Sequence, residues 1–298
     1  MSNINKLLQD LTLREKISLM SGFNSWYTNK IDRLGIPSIK MSDGPNGVRG
    51  DSNSGKSSAC FPCAISIGST WDMDLINQLG VALGEEAKVK DVDVLLGPTI
   101  NIHRHPLGGR HFESFSEDPF LTGKIATEYV QGVQSQDVAA CLKHFIGNDT
   151  EYERHLVSSN IDEKTLREIY LLPFEMGIKD GNAQVVMSAY NKLNNIYCSS
   201  HKELLIDILK DEWGFDGYVV SDWGAALETE ENANGGLDLE MPGPGNAWGD
   251  KLYAAVTEGK VEEELINDKV RRILNIASFS KRFENPEIKP EESHNTEE

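Results

Sequence analysis

"GYVVSDWGAA", residues 217–226, decides the fold. Tyr218, Val219 and Val220 follow one another without a polar break, which marks a strand buried on both faces. The run ends on Ser221, Asp222 and Trp223, so a buried strand delivers a carboxylate and an indole at its C-terminal end. The same layout recurs upstream. "RLGIPSIKMSDG" gives a short strand ending at Ser42 and Asp43, and "DVDVLLGP" is a strand followed by the loop that holds Arg110. "VAACLKHF" ends on Lys143 and His144, and "AQVVMSAYN" reaches Tyr190.

Between these strands the period changes to that of helices. "TLREKISLM" opens with a capping box, Thr12 to Glu15. "STWDMDLINQLGVALGEEAK" reads as a long helix with Leu75, Leu79 and Leu83 on one face. "EDPFLTGKIATEYVQGVQ" is a helix with Pro119 near its first turn. "DEKTLREIYLLPFEMGIKDG" is capped by Asp162 and stopped by Gly181, and "SSHKELLIDILKDEWGF" shows a second capping box, Ser200 to Glu203. Two further helices run to about Ser280. Buried strands alternating with helices predict a parallel sheet covered by helices. Seven or so such units in one chain of 298 residues fit an α/β fold of the (β/α)8 TIM type, with a strand irregular or missing. No glycine-rich phosphate loop follows any strand, which argues against nucleotide binding.

Composition narrows the function classes. A formal net charge of −18 disfavours nucleic acid, whose phosphates need a basic surface. No apolar run is long enough to span a membrane, and the N-terminus is amphipathic rather than signal-like, so a cytoplasmic protein is expected. The domain is expected to occupy residues 1–282. Residues 283–298, "FENPEIKPEESHNTEE", hold six Glu against one Lys and are expected to form an acidic disordered tail. Cys60 and Cys63 form a C-x-x-C without the second pair that a zinc ribbon needs. Residues 65–67 read as extended, whereas a redox pair usually opens a helix, so ordinary reduced thiols are expected.

In a barrel of parallel strands, chemistry collects at the strands' C-terminal ends. Each strand-end residue has a plain structural role open to it. Asp43 precedes a Gly-Pro turn, Lys143 and His144 fit a core ion pair, and Tyr190 fits a packed aromatic. Their collection at one end of successive strands favours a site. Carboxylates, an Arg, a Lys, a His and an indole suit a sugar: hydroxyls need paired donors and acceptors, and a pyranose face packs on Trp223. A strand-end carboxylate can attack an anomeric carbon. No nucleophilic Ser or Cys elbow is present, and no cofactor is expected. His103-x-His105, with Lys143, His144 and Asp222, leaves open a metal-dependent amidohydrolase, although Pro106 follows at once.

Six motifs, "MSDGPNGVRG", "GGRHFESFSEDP", "KHFIGNDTEYER", "EKTLREIYLLPFE", "VVMSAYNKLNN" and "GYVVSDWGA", together resemble glycoside hydrolase family 3, the β-glucosidase group. The resemblance covers about Leu11 to Ile276. It implies a retaining hydrolase acting on terminal β-D-glucosyl residues of a β-glucoside or short β-linked oligosaccharide. Asp222 is then the nucleophile, and Asp43, Arg110, Lys143, His144, Tyr190 and Trp223 line the glucose subsite, with Arg154 and Met187 close by. No metal is implied. The second carboxylate of a retaining pair lies, in most members of this family, in a further α/β domain downstream. A minority carry an acid/base His in a barrel loop patterned "KHFPGHGDTxxDSH". The loop here, "KHFIGNDTEYERHLVSS", lacks that Asp-Ser-His, and His155 is out of register. The resemblance thus implies a nucleophile domain without its C-terminal partner domain, weak or inactive alone. A non-catalytic sugar-binding remnant is the alternative.

Overall fold

The computed structural model describes residues 4–51 and 54–294. Five parallel strands form one curled sheet: β1 Met41–Asp43, β2 Val94–Leu96, β3 Ala139–Phe145, β4 Val185–Ser188 and β5 Tyr218–Ser221. They lie side by side in chain order. Register runs Met41 to Val94, Val94 to Ala139, Cys141 to Val185 and Val185 to Tyr218. All seven residues of β3 are buried, as a strand covered on both faces requires. Beyond β5 the circuit continues through single bridges. Val220 pairs with Leu239 and Ser21 with Glu240, both parallel, and Tyr27 pairs antiparallel with Lys40 beside β1. The expected barrel is therefore present as a five-stranded curled half-barrel whose remaining staves are reduced to bridges. Short apolar stretches such as "LDLEM" hold too few consecutive ladder bonds to count as strands.

The covering helices follow their sequence signals. Asp72 caps the helix Met73–Val89 by accepting from the Leu75 N–H, and Asp118 caps Pro119–Gln134 through the Leu121 N–H. These two helices touch backbone to backbone. A Cβ built on Gly80 would sit 2.6 Å from the Tyr129 carbonyl, so only glycine fits there. Asp162 caps a continuous helical run from Glu163 to Lys179, whose middle, Leu166–Leu171, is widened to π geometry. The Thr12 capping box forms as read.

Four local expectations fail. Leu75 is exposed: of the leucine pattern only Leu83 is fully buried, Leu79 is partly buried, and the rest of the buried face is Ile76, Gly80, Gly84, Glu86 and Ala87. Ser200 caps nothing: a 3₁₀ turn, Cys198–Ser200, precedes the helix Glu203–Glu212, and the Ser200 hydroxyl donates to Tyr197 and Glu228 while the His201 ring accepts from the Leu204 N–H. Residues Ala64–Gly68 form one helical turn with extended Cys63 as its N-cap, not an extended segment. The chain through 60–63 has neither turn nor bend, and both thiols are free. The acidic tail is exposed over 284–290 but anchored on the barrel at its described end: Glu291 is buried against Lys40, and the Glu292 N–H donates to the Val89 carbonyl. A buried ammonium at the start of β1 needs a carboxylate, and the tail supplies one. Residues 295–298 lie outside the described part. No described helix is long and apolar enough to cross a membrane.

Candidate active site

The C-terminal ends of the strands place the expected residues around one mouth. Asp43 closes β1, Lys143 and His144 lie in β3, Met187 lies in β4 in register with Val220, and Asp222 follows β5 directly. A register shift between Leu142 and Phe145 bulges β3 where Lys143 and His144 stand. Arg110 comes from the loop after β2 and Arg154 from the loop after β3.

Lys143 Nζ donates to Asp43 Oδ1 at 2.8 Å, and Arg49 lies 3.4 Å from Asp43 Oδ2. Burial alone would raise the Asp43 carboxyl, but the Lys143 ammonium, aided by Arg49, holds it below the usual range. The carboxylate is therefore ionised and keeps acceptor capacity for a ligand hydroxyl.

His144 is oriented by Asn101. The Asn101 amide oxygen accepts from the His144 N–H at 2.9 Å and faces ring Nδ1 at 3.2 Å, while the amide nitrogen donates to the His144 carbonyl. An oxygen can only accept, so Nδ1 carries the proton and Nε2 offers a lone pair to Arg110 at 3.3 Å. Complete burial, then the neighbouring Arg110, Lys143 and Arg154, push the imidazole well below its ordinary pKa, so it is neutral. His144 Nε2 also stands 3.6 Å from Asp222 Oδ2, too long for a hydrogen bond and, with a neutral ring, no ion pair.

Asp222 is only partly compensated. Its Oδ1 accepts from the Trp223 N–H at 2.7 Å, while Oδ2 is buried without a hydrogen-bond partner among the described residues. Burial raises its carboxyl above the ordinary value, against the Trp223 N–H, the charges of Lys143 and Arg110, and the nearby Tyr190 hydroxyl. The Tyr190 hydroxyl donates to the Trp223 carbonyl at 2.9 Å, and burial with the Asp222 charge pushes that phenol up, so it stays protonated. Arg154 stacks over the Tyr190 ring at 4.4 Å. Trp223 is fixed by its indole N–H, which donates to the Ser25 carbonyl at 2.9 Å, and by Trp26, 5.6 Å away ring to ring.

Every residue read from the sequence as a site residue except Met187 thus enters this polar and aromatic cluster; Met187 is fully buried in β4. Sequence reading missed Asn101, Arg49, Trp26 and Glu113, which pairs with Arg110 at 2.5 Å. Asn101 ends the segment after β2, and Arg49 lies inside "MSDGPNGVRG", so both sat within reach of the strand-end rule. Glu151 is held by Arg154 at 2.6 Å and by Asn148 at 3.3 Å. The amidohydrolase alternative finds no support. His103 faces the Ser114 carbonyl, His105 accepts from the Leu107 N–H, and no group of three or more potential ligands occurs among the described residues.

The arrangement can do one kind of chemistry well. A buried carboxylate oxygen without a hydrogen-bond partner lies among fixed cations, a neutral imidazole, a phenol and an indole, residue types that suit nucleophilic attack beside a hydroxyl-binding surface. The model of the glycosyl hydrolase family 3 N terminal domain matches residues 10–276. A β-glucosidase of Rhizobium radiobacter is 55% identical over 273 residues, 91% of this chain and 33% of that protein. β-Glucosidase B of Emericella nidulans is 48% identical over 99% of this chain and 35% of its own length. The crystal structure of a β-glucosidase from Kluyveromyces marxianus in complex with glucose superposes with a TM-score of 0.95 and 42% identity, covering all of this chain and 37% of that one. The chain spans about a third of the length of the curated relatives it matches.

Proposed function

The chain belongs to glycosyl hydrolase family 3, and on that premise we propose that it carries the glucose pocket and the nucleophile of a retaining β-glucosidase. The observation that carries this reading is Asp222, with one oxygen fixed by a backbone N–H and the other buried and unpartnered at the end of β5. The Asp43–Lys143 pair, Arg110, His144, Arg154 and Tyr190 bind the hydroxyls of a terminal β-D-glucosyl residue, and Trp223 forms a wall for its apolar face. Met187 lies beneath. The names of the relatives and the glucose complex of the Kluyveromyces marxianus enzyme support glucose as the bound sugar.

In the first step the free Asp222 oxygen attacks the anomeric carbon, the bond to the aglycone oxygen breaks, and a glucosyl ester forms. In the second, water attacks the same carbon and releases the carboxylate. Both steps need a second carboxylate, about 5–5.5 Å away, to protonate the leaving oxygen and then activate water. Glu151, in the loop after β3, already has partners on both oxygens. This supports an acid/base group lying outside the barrel, in a second domain. The test is substrate choice. General acid help is worth about 10²–10⁴-fold and matters most for poor leaving groups. This chain should cleave a dinitrophenyl glucoside to the covalent stage and leave an alkyl glucoside almost untouched. Brisk turnover of the alkyl glucoside would place the acid within these residues.

A further inference from the structure

The loop after β1 brings Arg49 to Asp43, yet it contains little that could form a core of its own. Its backbone N–H groups are pinned by β1 and by two carboxylates, Glu291 and Glu86. The Arg49 N–H donates to the Asp43 carbonyl at 2.9 Å, and the Gly50 N–H donates to the Ser42 hydroxyl at 2.8 Å. Next, the Asp51 N–H donates to Glu291 Oε1 at 2.7 Å, and the same oxygen accepts from Lys40 Nζ at 2.5 Å. Gly50 has a φ of +65°, and a Cβ there would lie 2.7 Å from Glu291 Oε2. The tail carboxylate is thus packed against the bend that turns the chain after Arg49. On the other side of the loop, Glu86 accepts from the N–H groups of Val48 and Ala59.

Glu291 and Lys40 are both almost completely covered, with 5% and 2% of their side chains exposed. Lys40 also donates to the Lys90 carbonyl and stands directly before β1, the strand that ends on Asp43. One carboxylate therefore joins three things: the root of β1, the bend at Gly50 and the segment that follows the last helix, Glu263–Phe279. An ion pair this buried holds its geometry, because separating its partners leaves an uncompensated charge.

We propose that Glu291 is a positioning residue for the sugar pocket: through Lys40, Gly50 and Asp51 it sets the bend that holds Arg49 against Asp43, so the segment after the barrel controls affinity on the Asp43 side of the site. The proposal rests on Asp43 being a sugar ligand. It gives the acidic residues 283–294 a role in binding rather than in solubility.

The test is Glu291→Ala, read by hydrogen exchange without sugar and by glucose titration calorimetry. Exchange over residues 44–51 should quicken while β3 and β5 stay protected, and the glucose Kd should rise about tenfold, a coupling of ordinary size for a residue acting through others. Covalent labelling of Asp222 at saturating probe should keep its rate, since the nucleophile is untouched. Glu291→Gln, which keeps an oxygen for the Asp51 N–H, should recover part of the affinity. Unchanged exchange over 44–51, or a loosened loop with unchanged glucose affinity, overturns the proposal. A loosened loop in a protein whose parent binds no glucose would keep the coupling and sink the sugar reading instead. Should Glu291→Ala fail to fold, Arg49→Met reads the same link with the tail intact, and parent-like glucose affinity there overturns it.

Discussion

Removing the Asp43 carboxylate should cost stability and sugar affinity together, and a second substitution should separate the two. Asp43 bonds to Lys143 at 2.8 Å, and the Lys143 side chain is 4% exposed against 29% for Asp43. Asp43→Ala therefore strands a buried ammonium. Breaking a fully buried pair costs about 3–5 kcal/mol; the solvent that reaches Asp43 lowers the figure here to ~2 kcal/mol. Glucose loses a charge-assisted bond of about the same size, so its Kd should rise about 30-fold. Lys143→Met should weaken glucose similarly. The double variant Asp43→Ala/Lys143→Met leaves no buried unpaired charge, since Arg49 is exposed to solvent, so its melting temperature should return towards the parent while its affinity stays low. The pH dependence has a definite sign. Burial would raise the Asp43 carboxyl, but Lys143 and Arg49 depress it, so the pair's stabilisation is present above the ordinary Asp value and lost as pH falls through the lower folded value. The gap in stability between parent and Asp43→Ala is then full at neutral pH and closes only in strong acid. Titration calorimetry and thermal melts give both readouts. Parent-like glucose affinity in both single variants, or recovered affinity in the double variant, would refute the reasoning.

Two further outcomes follow from the other ionisable groups. Asp222 has a raised folded pKa because its charge is buried, so parent stability should fall as pH rises through that raised value; Asp222→Asn should remove this dependence, melt higher at neutral pH, and form no adduct. A lower melting temperature for Asp222→Asn would show that the carboxylate is better satisfied than its unpartnered oxygen indicates. His144 is held neutral by burial and neighbouring cations, so glucose affinity should not change between about pH 6 and pH 8 on its account; a binding step in that range that disappears in His144→Gln would contradict the assignment.

Most of the fold was legible because buried strands and helices have different periods. β3 and β5 open on the apolar runs 138–142 and 218–220, and Thr12 and Asp162 mark helix starts by hydrogen-bonding chemistry that is local to the sequence. What failed depended on contacts distant in sequence. Leu75 was read onto the buried face of Met73–Val89, but that face is centred on Gly80 and Gly84, which meet the neighbouring helix closely, and it leaves Leu75 exposed. The tail looked solvated because composition does not reveal that Lys40, some 250 positions earlier, lies buried and needs a carboxylate. The last staves of the barrel were faint for a related reason, since Leu239 and Ser21 make single bridges that leave no periodic trace. In the site, the strand-end rule found the residues that point into the mouth. It missed those that hold them from the side: Asn101 fixes the His144 ring, and Ser25 fixes the Trp223 indole through a carbonyl that any residue would supply.

The central claim is that Asp222 attacks the sugar. Incubation with a dinitrophenyl 2-fluoroglucoside, whose leaving group needs almost no protonation, tests it directly by intact-mass spectrometry and peptide mapping. The account predicts one stable glucosyl adduct per chain, located on Asp222 within residues 217–226, and none in Asp222→Ala that retains its fold. An adduct on any other residue of the folded protein would contradict it.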